Sequence, residues 1–413
     1  MKKITVVGAG IIGLSVAYYL HKEGAEVTVI DRQPEGDKTS FGNAGGIAVT
    51  EVIPAAVPGI FMKVPGWMLD PLGPLAVRPA HALKLLPWLL RFYRSGKKDE
   101  FMRIYRALSV LNSRVYNDLL PMLEDTGLMK ELHRDGALTV YETEAGYNAE
   151  KHEWELREQA GIRVQHMTGD EARALEPALS SKVSHAVFTP QWSHINDPKV
   201  IVDELRGWLI KQGVDVIKGD VGEIQTAGAG QQQVKMKDGP THFTDDIVIA
   251  AGVWSRELAG MLGEKSLVES ERGYNTTIQD SGVQLSREVI FAERKFVATP
   301  LSCGLRIGGA AEFGGINDKP NYKRASSLAK LAEIYLPTLK KTEGMHWAGH
   351  RPSTPDSLPV ISRSSLHSHV YYAFGHGHLG LTQSATTGRL IADLIFSRPD
   401  SLDYTPYSIK RFN

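Results

Sequence analysis

"ITVVGAGIIGLSVAYYLHKEGAEVTVID" (residues 4–31) decides how this chain is read. Ile4–Val7 form an apolar, largely β-branched run of the kind found in a strand buried on both faces. Gly8, Gly10 and Gly13 then spell G-x-G-x-x-G, and the residues after Gly13 keep helical spacing up to Gly24. A second buried strand, "EVTVID", closes the unit on Asp31. Gly8 permits a tight turn, and Gly10 lets the backbone approach a pyrophosphate with no Cβ in between. Gly13 lets helix and strand pack closely, while the helix N-terminus aims unpaired N–H groups and its positive dipole end at phosphate oxygens. Asp31 stands where a carboxylate accepts hydrogen bonds from ribose hydroxyls. A glycine triplet alone is weak evidence. Strand, triplet, helix, second strand and terminal acid in one register predict a dinucleotide site.

The next residues bear on which dinucleotide. A doubly wound NAD domain continues with further β-α units, but this chain enters "DKTSFGNAGGIAVTEVIPAAVPG" (37–59), rich in Gly and Pro with no clean helix. A small, flexible backbone suits a long passage over an extended ligand. That favours FAD, whose flavin continues beyond the pyrophosphate.

Composition narrows the class. The chain has 413 residues, 42% hydrophobic and 23% charged, within the range of a globular α/β enzyme. Lys+Arg and Asp+Glu balance at 47 each, so no global field points to nucleic acid. The one cysteine, Cys303, excludes an internal disulfide framework and fits a reducing compartment. The N-terminal run is broken by glycines and passes straight into the second strand, so it reads as folded structure rather than an export leader. The expected location is cytoplasmic. Residues 52–98 are rich in Pro, Trp and Leu, which suits either a hydrophobic cap over a site or peripheral contact with the inner face of a membrane.

Further along, 101–125 has helical spacing, 136–143 reads as a strand and 143–161 as a helix. Asp197 is a good N-cap with Pro198 at the first helical position, and Gly213 ends that helix. "VDVIKGDV" (214–221) and "DDIVIAAGVWS" (245–255) are strands, the latter running into Ala250, Ala251 and Gly252 where a backbone must pass close to a ligand. From 267 to 345 alternating segments predict antiparallel strands. The expected fold is α/β: a discontinuous Rossmann-like FAD domain (1–50, 190–265 and 346–413) plus an α+β substrate or cap domain (51–189 and 266–345) with a mainly antiparallel sheet.

The opening unit, "TSFGNAGGI", "IVIAAGVWS", "GYNTTI", "RIGGAAEF", "GHRPSTPDSLPVI" and "FGHGHLGLTQSATTGRLIADLI" together resemble the D-amino acid oxidase superfamily of FAD proteins, and in particular the bacterial D-amino acid dehydrogenase small-subunit group. The resemblance implies non-covalent FAD. Gly8, Gly10, Gly13, Asp31 and Arg32 would hold its ADP half; Ser40, Asn43, Ala44 and Gly45 would run under the pyrophosphate and beside the flavin. Val221 would offer its backbone to the adenine, and Gly377, His378, Leu379, Gly380, Leu381 and Thr382 would meet the flavin pyrimidine edge. Arg351 would pair with a substrate carboxylate, with Tyr274 bonding it and His350 and His378 shaping substrate choice. His350 and His378 depart from the family's usual apolar and small residues. The implied reaction is oxidation of a small D-amino acid, cyclic ones such as D-proline or hydroxy-D-proline included, with electrons passing to a quinone or carrier protein. A glycine- or sarcosine-type oxidase and a flavin-bearing electron-transfer subunit are the alternatives.

His376-x-His378 also imitates a metal site. A catalytic zinc needs three protein ligands, and no Cys or acid stands at ligand spacing, so no metal is expected. On the flavin reading, Gly375, Gly377 and Gly380 bare the backbone ahead of a helix, whose N-terminal N–H groups stabilise charge on a reduced ring.

Overall fold

The structure, a computed structural model, describes residues 1–59, 75–228, 230–340, 343–398 and 402–413. The first unit forms as its sequence dictates. Strand β1 (Lys3–Val7) is buried after its first residue, helix α1 spans Ile11–Lys22, and strand β2 (Glu26–Asp31) returns beside β1. Four more strands complete a six-stranded sheet in the order 215–218, β2, β1, 246–249, 370–374, 360–363, parallel except for the last. The cavity reaches the carboxyl ends of β1 and β2, the usual ligand position in an open α/β sheet.

The helix from Pro198 to Lys211 starts where its cap predicts, with Asp197 accepting from the Lys199 N–H at 2.8 Å. It packs against α1, so the chain does return to the dinucleotide sheet.

A second, nine-stranded sheet runs in the order 345–353, 269–278, 304–313, 296–301, 288–291, 137–141, 185–189, 165–168, with 75–77 also paired to 304–313. Its central pairings are antiparallel, as the alternating pattern predicts. Alternate residues therefore point to opposite faces. Tyr274, Ile307, Ala298, Val289 and Leu138 build the core under the helix Lys323–Ala332. Glu271, Asn275, Gly308, Val297 and Glu288 line the cavity.

Two placements differ from the expected domain boundaries. Residues 345–353, which carry Arg351, form the edge of the second sheet rather than part of the FAD domain. The helix Val115–Asp125 packs on the helix Ser384–Ile395 and is tied to α1, with the Tyr19 hydroxyl donating to Asp118 O at 2.6 Å, while Lys98–Ser113 shares the same hydrophobic core. An apolar stripe tells that a helix is covered, not by what. The 52–98 segment falls partly outside the described residues; among those described, no helix is long and apolar enough to cross a membrane.

Candidate active site

One cavity of about 1490 Å³ runs between the two sheets, from Asp31 and Val221 at one end to Glu271 and Arg351 at the other. It exceeds the space that an ordinary small ligand fills. Gly8 has φ +114°, and a Cβ there would sit 2.4 Å from the Ala250 carbonyl oxygen, so Gly8 serves both the turn and the neighbouring strand. A Cβ on Gly13 would lie 1.8 Å from Gly8 O. Gly10 is different: its nearest protein atom would be Ser40 Oγ at 3.7 Å. Protein packing does not require glycine at 10. The bare space before it belongs to the cavity, where a pyrophosphate fits at the start of α1.

Asp31 steers this turn. Its carboxylate accepts from the Ala9 and Gln33 N–H groups, each at 2.8 Å, and from Lys38 Nζ at 2.9 Å. Ser40 Oγ accepts from the Ile11 N–H at 3.2 Å, meeting an otherwise uncapped helix end. Arg32 lies 4.3 Å over the Trp254 ring, and Val221, Ala251 and Gly252 complete that end of the wall.

Residues 41–46 cross from the first sheet over the face of the second. Arg306 donates to Phe41 O at 3.0 Å and Asn43 O at 2.6 Å, and Asn275 donates to Gly42 O at 2.8 Å. Asn43 and Ala44 line the cavity, while Gly45, at φ +94° and bonded to Asn43 Oδ1 at 2.7 Å, stands behind the wall. The tail loop reaches the same place. Gly377, His378, Leu379, Gly380 and Leu381 line the cavity, and the buried Thr382 hydroxyl accepts from the Ala48 N–H at 2.9 Å, tying the two loops together.

Arg351 lies flat over its own sheet. A Cβ on Gly273 would come within 2.4 Å of its Cζ, so only glycine admits that posture. Its Nη1 donates to Glu271 Oε1 at 3.0 Å and to the Ala310 carbonyl at 3.2 Å. Ala310 has φ +56° and sits at a bulge where the strand register shifts. Glu271 also holds His378 Nε2 at 2.7 Å and the Ser353 hydroxyl at 2.7 Å. Burial works to raise the Glu271 pKa, but His378, Arg351 and Ser353 together outweigh it and hold this carboxyl far below its usual range.

Tyr274 and His350 line the same cavity as Arg351, but their polar groups are bonded elsewhere. Neighbours along a strand alternate faces. Tyr274 turns into the helix-covered core, where its hydroxyl accepts from the Asn321 N–H at 3.0 Å. His350 follows the same parity, meeting Ser270 Oγ at 2.7 Å and the Trp254 ring edge-on at 5.9 Å. Burial, then the charge of Arg272, lowers its pKa to about 4. The tail histidines also diverge. His376 is buried with Nε2 on Thr387 Oγ1 at 2.9 Å, whereas His378 faces Glu271. Among the described residues no three His, Cys, Asp or Glu side chains are grouped to hold a metal ion.

Sequence reasoning missed two acids. Glu271 lies in "ESERGYN", where an acid inside a strand is the only signal, and its partners come from cross-strand register. Glu288 is 3% exposed, lines the cavity and accepts from Trp192 Nε1 at 2.9 Å. Burial, with Trp192 opposing and Glu51 assisting, raises its pKa to about 8.

A β-α-β phosphate cradle, a second sheet as the far wall and a long cavity between them define a flavin-type dinucleotide oxidoreductase. The chain belongs to the FAD-dependent oxidoreductase family, whose model matches residues 3–394, and FAD is its cofactor. It is 32% identical over 420 residues to a D-amino-acid oxidase from Bradyrhizobium diazoefficiens, covering 100% of this chain and 99% of that one. Among solved structures it is similar to glycine oxidase from Geobacillus kaustophilus, with TM-score 0.76 and 21% identity over 100% of this chain and 99% of that chain. It is also similar to L-proline dehydrogenase from P. horikoshii, with TM-score 0.76 and 21% identity over 100% and 97% of the two chains. The chain is an FAD-dependent oxidoreductase that acts on amino acids or related amines.

Proposed function

We propose that the chain oxidises a small D-amino acid, cyclic imino acids included, at its α-carbon, and passes the electrons to a quinone or carrier protein. The posture of Arg351 carries this reading. A guanidinium fork recognises a carboxylate through two parallel bonds. Among the described residues, Glu271 and Ala310 use Nη1 of this fork, which leaves the rest of it for a substrate carboxylate. The D configuration is supported by the curated relative's name and by the resemblance of the whole chain.

FAD, when bound, supplies the acceptor for hydride leaving the substrate Cα. The residues do the rest. Arg351 orients the substrate by its acid end, and Gly273 lets the arginine lie low over the sheet. The loop from Gly377 to Leu381, ahead of the helix Ser384–Ile395, supplies backbone N–H groups at the far wall. The imine product hydrolyses to a 2-oxo acid, or persists when the substrate is a cyclic amine.

Anaerobic bleaching of the flavin by a panel of D- and L-amino acids tests the reading. Reduction by D-amino acids, with L-isomers inert, is the expected result. Bound flavin that no D-amino acid reduces would refute it. Oxygen as the acceptor is the second reading, favoured by the oxidase names of two relatives. Turnover with an artificial dye against turnover in air separates the two.

A further inference from the structure

The reaction proposed above needs the substrate nitrogen to lose a proton. Among the described residues, His378 and Glu271 form an arrangement at the Arg351 end of the cavity suited to take it. His378 Nε2 sits 2.7 Å from Glu271 Oε1, and Arg351 Nη1 sits 3.0 Å from that same oxygen. The imidazole and the guanidinium are therefore neighbours. A carboxylate resting on the open side of Arg351 brings its α-nitrogen within a few ångströms of the ring. His378 lines the cavity with its side chain 61% exposed, and among the described residues nothing bonds its Nδ1. A buried carboxylate on one ring nitrogen fixes the proton there, leaves the other as the base and stabilises the imidazolium that forms.

We propose that His378, steered by Glu271, receives the proton that the substrate nitrogen gives up. This rests on the amino acid oxidation proposed above. One N–H bond of the substrate ammonium breaks, and its proton bonds to Nδ1. The lone pair left on nitrogen forms the C=N bond as the Cα–H departs with its electron pair to FAD. Arg351 is a carboxylate anchor in this scheme, and Glu271 is a positioning residue.

The other charges around the pair are already committed. Ser353, from the Arg351 strand, donates to Glu271 Oε2 at 2.7 Å. Glu269, two residues back, is paired with Arg256 at 2.9 Å and lies 3.3 Å from His81. Arg272 turns to the opposite face and pairs with Glu312 at 3.3 Å. His376, on the same loop, is buried against Thr387, and burial lowers its pKa to about 3.

The test uses the FAD-loaded full chain and its His378→Gln variant. An α-methyl amino acid has no Cα–H, so it binds without being oxidised, and its affinity can be followed across pH by the flavin spectrum. With the native chain the affinity should fall on the acid side, where a protonated His378 repels the ammonium group. That limb should vanish in His378→Gln. Flavin reduction by an oxidisable D-amino acid at pH 7 should slow by about 10²-fold in the variant and recover at high pH, where the amine is free. Native limb and native rate in the variant would overturn the proposal. Should His378→Gln fail to retain FAD, Glu271→Gln supplies the comparison: a shifted acid limb supports the pair, and an unshifted one overturns it. Bound flavin that no amino acid reduces even in the native chain would instead sink the parent reading.

Discussion

With Ala at position 273, a methyl group would stand 2.4 Å from the guanidinium carbon of Arg351. Gly273→Ala is expected to keep the fold and bound FAD while raising KM, because it moves the anchor and leaves the cofactor cradle alone. Steady-state kinetics beside the flavin spectrum checks this. Arg351→Ala removes the anchor itself, and kcat/KM should fall about 10²- to 10³-fold, the range for truncating one partner of a desolvated ion pair. A variant with native kcat/KM would defeat the assignment. Glu288 makes a separate prediction about stability. Burial raises its pKa to about 8 in the folded chain, above the unfolded carboxyl. The native state then binds more protons than the unfolded one between about pH 4.5 and 8, so its contribution to stability is lost as pH rises through that window. Denaturant unfolding at fixed FAD should show Glu288→Gln gaining on the native chain between pH 5 and 9. A constant difference across that range would contradict it.

At the scale of the element, the three glycines of the first turn are not equivalent. Gly13 is demanded by the protein itself, since its Cβ would overlap Gly8 O at 1.8 Å. Gly13→Ala should lower Tm with or without cofactor. Gly10 faces the cavity, with no protein atom nearer than 3.7 Å to its virtual Cβ. Gly10→Ala should leave the apo Tm nearly unchanged, weaken FAD binding at least tenfold, and reduce the rise in Tm that FAD produces. Thermal melts with and without added FAD separate the two. Equal effects of the two substitutions on the apoprotein would contradict this division.

For the whole molecule, the loop from Phe41 to Gly46 is the seam between the sheets. It leaves the dinucleotide unit, yet its carbonyls are held by Arg306 and Asn275 from the second sheet. The cofactor site is complete only when both layers are docked, so ligand binding and docking are linked. Arg306→Met should release two carbonyl bonds and weaken FAD binding about tenfold, although Arg306 stands in the second sheet. Titration of the apoprotein with FAD measures it, and a native Kd would show that the loop holds its shape unaided.

Much of this was legible along the chain. The β1–α1–β2 unit, the Asp197 cap and the alternating strands after 267 follow from local rules of spacing, capping and steric freedom, and these carried the fold class and the phosphate end of the site. Arg351 was singled out too, through the resemblance, as a candidate carboxylate anchor. Its surroundings were not. Tyr274 and His350 look as eligible as Arg351 when read in a line, but strand parity gives their polar groups to Asn321 and Ser270, partners that exist only once the sheet has formed. Glu271 became a partner of Arg351 and His378 because antiparallel register set it opposite the one and the tail loop delivered the other. The amino-acid order by itself determined which segments fold and which turn takes the shape of a phosphate cradle, because those depend on neighbours in the chain. Which charges meet at the reacting end was decided only by tertiary structure, because pairing across strands and loops depends on neighbours in space.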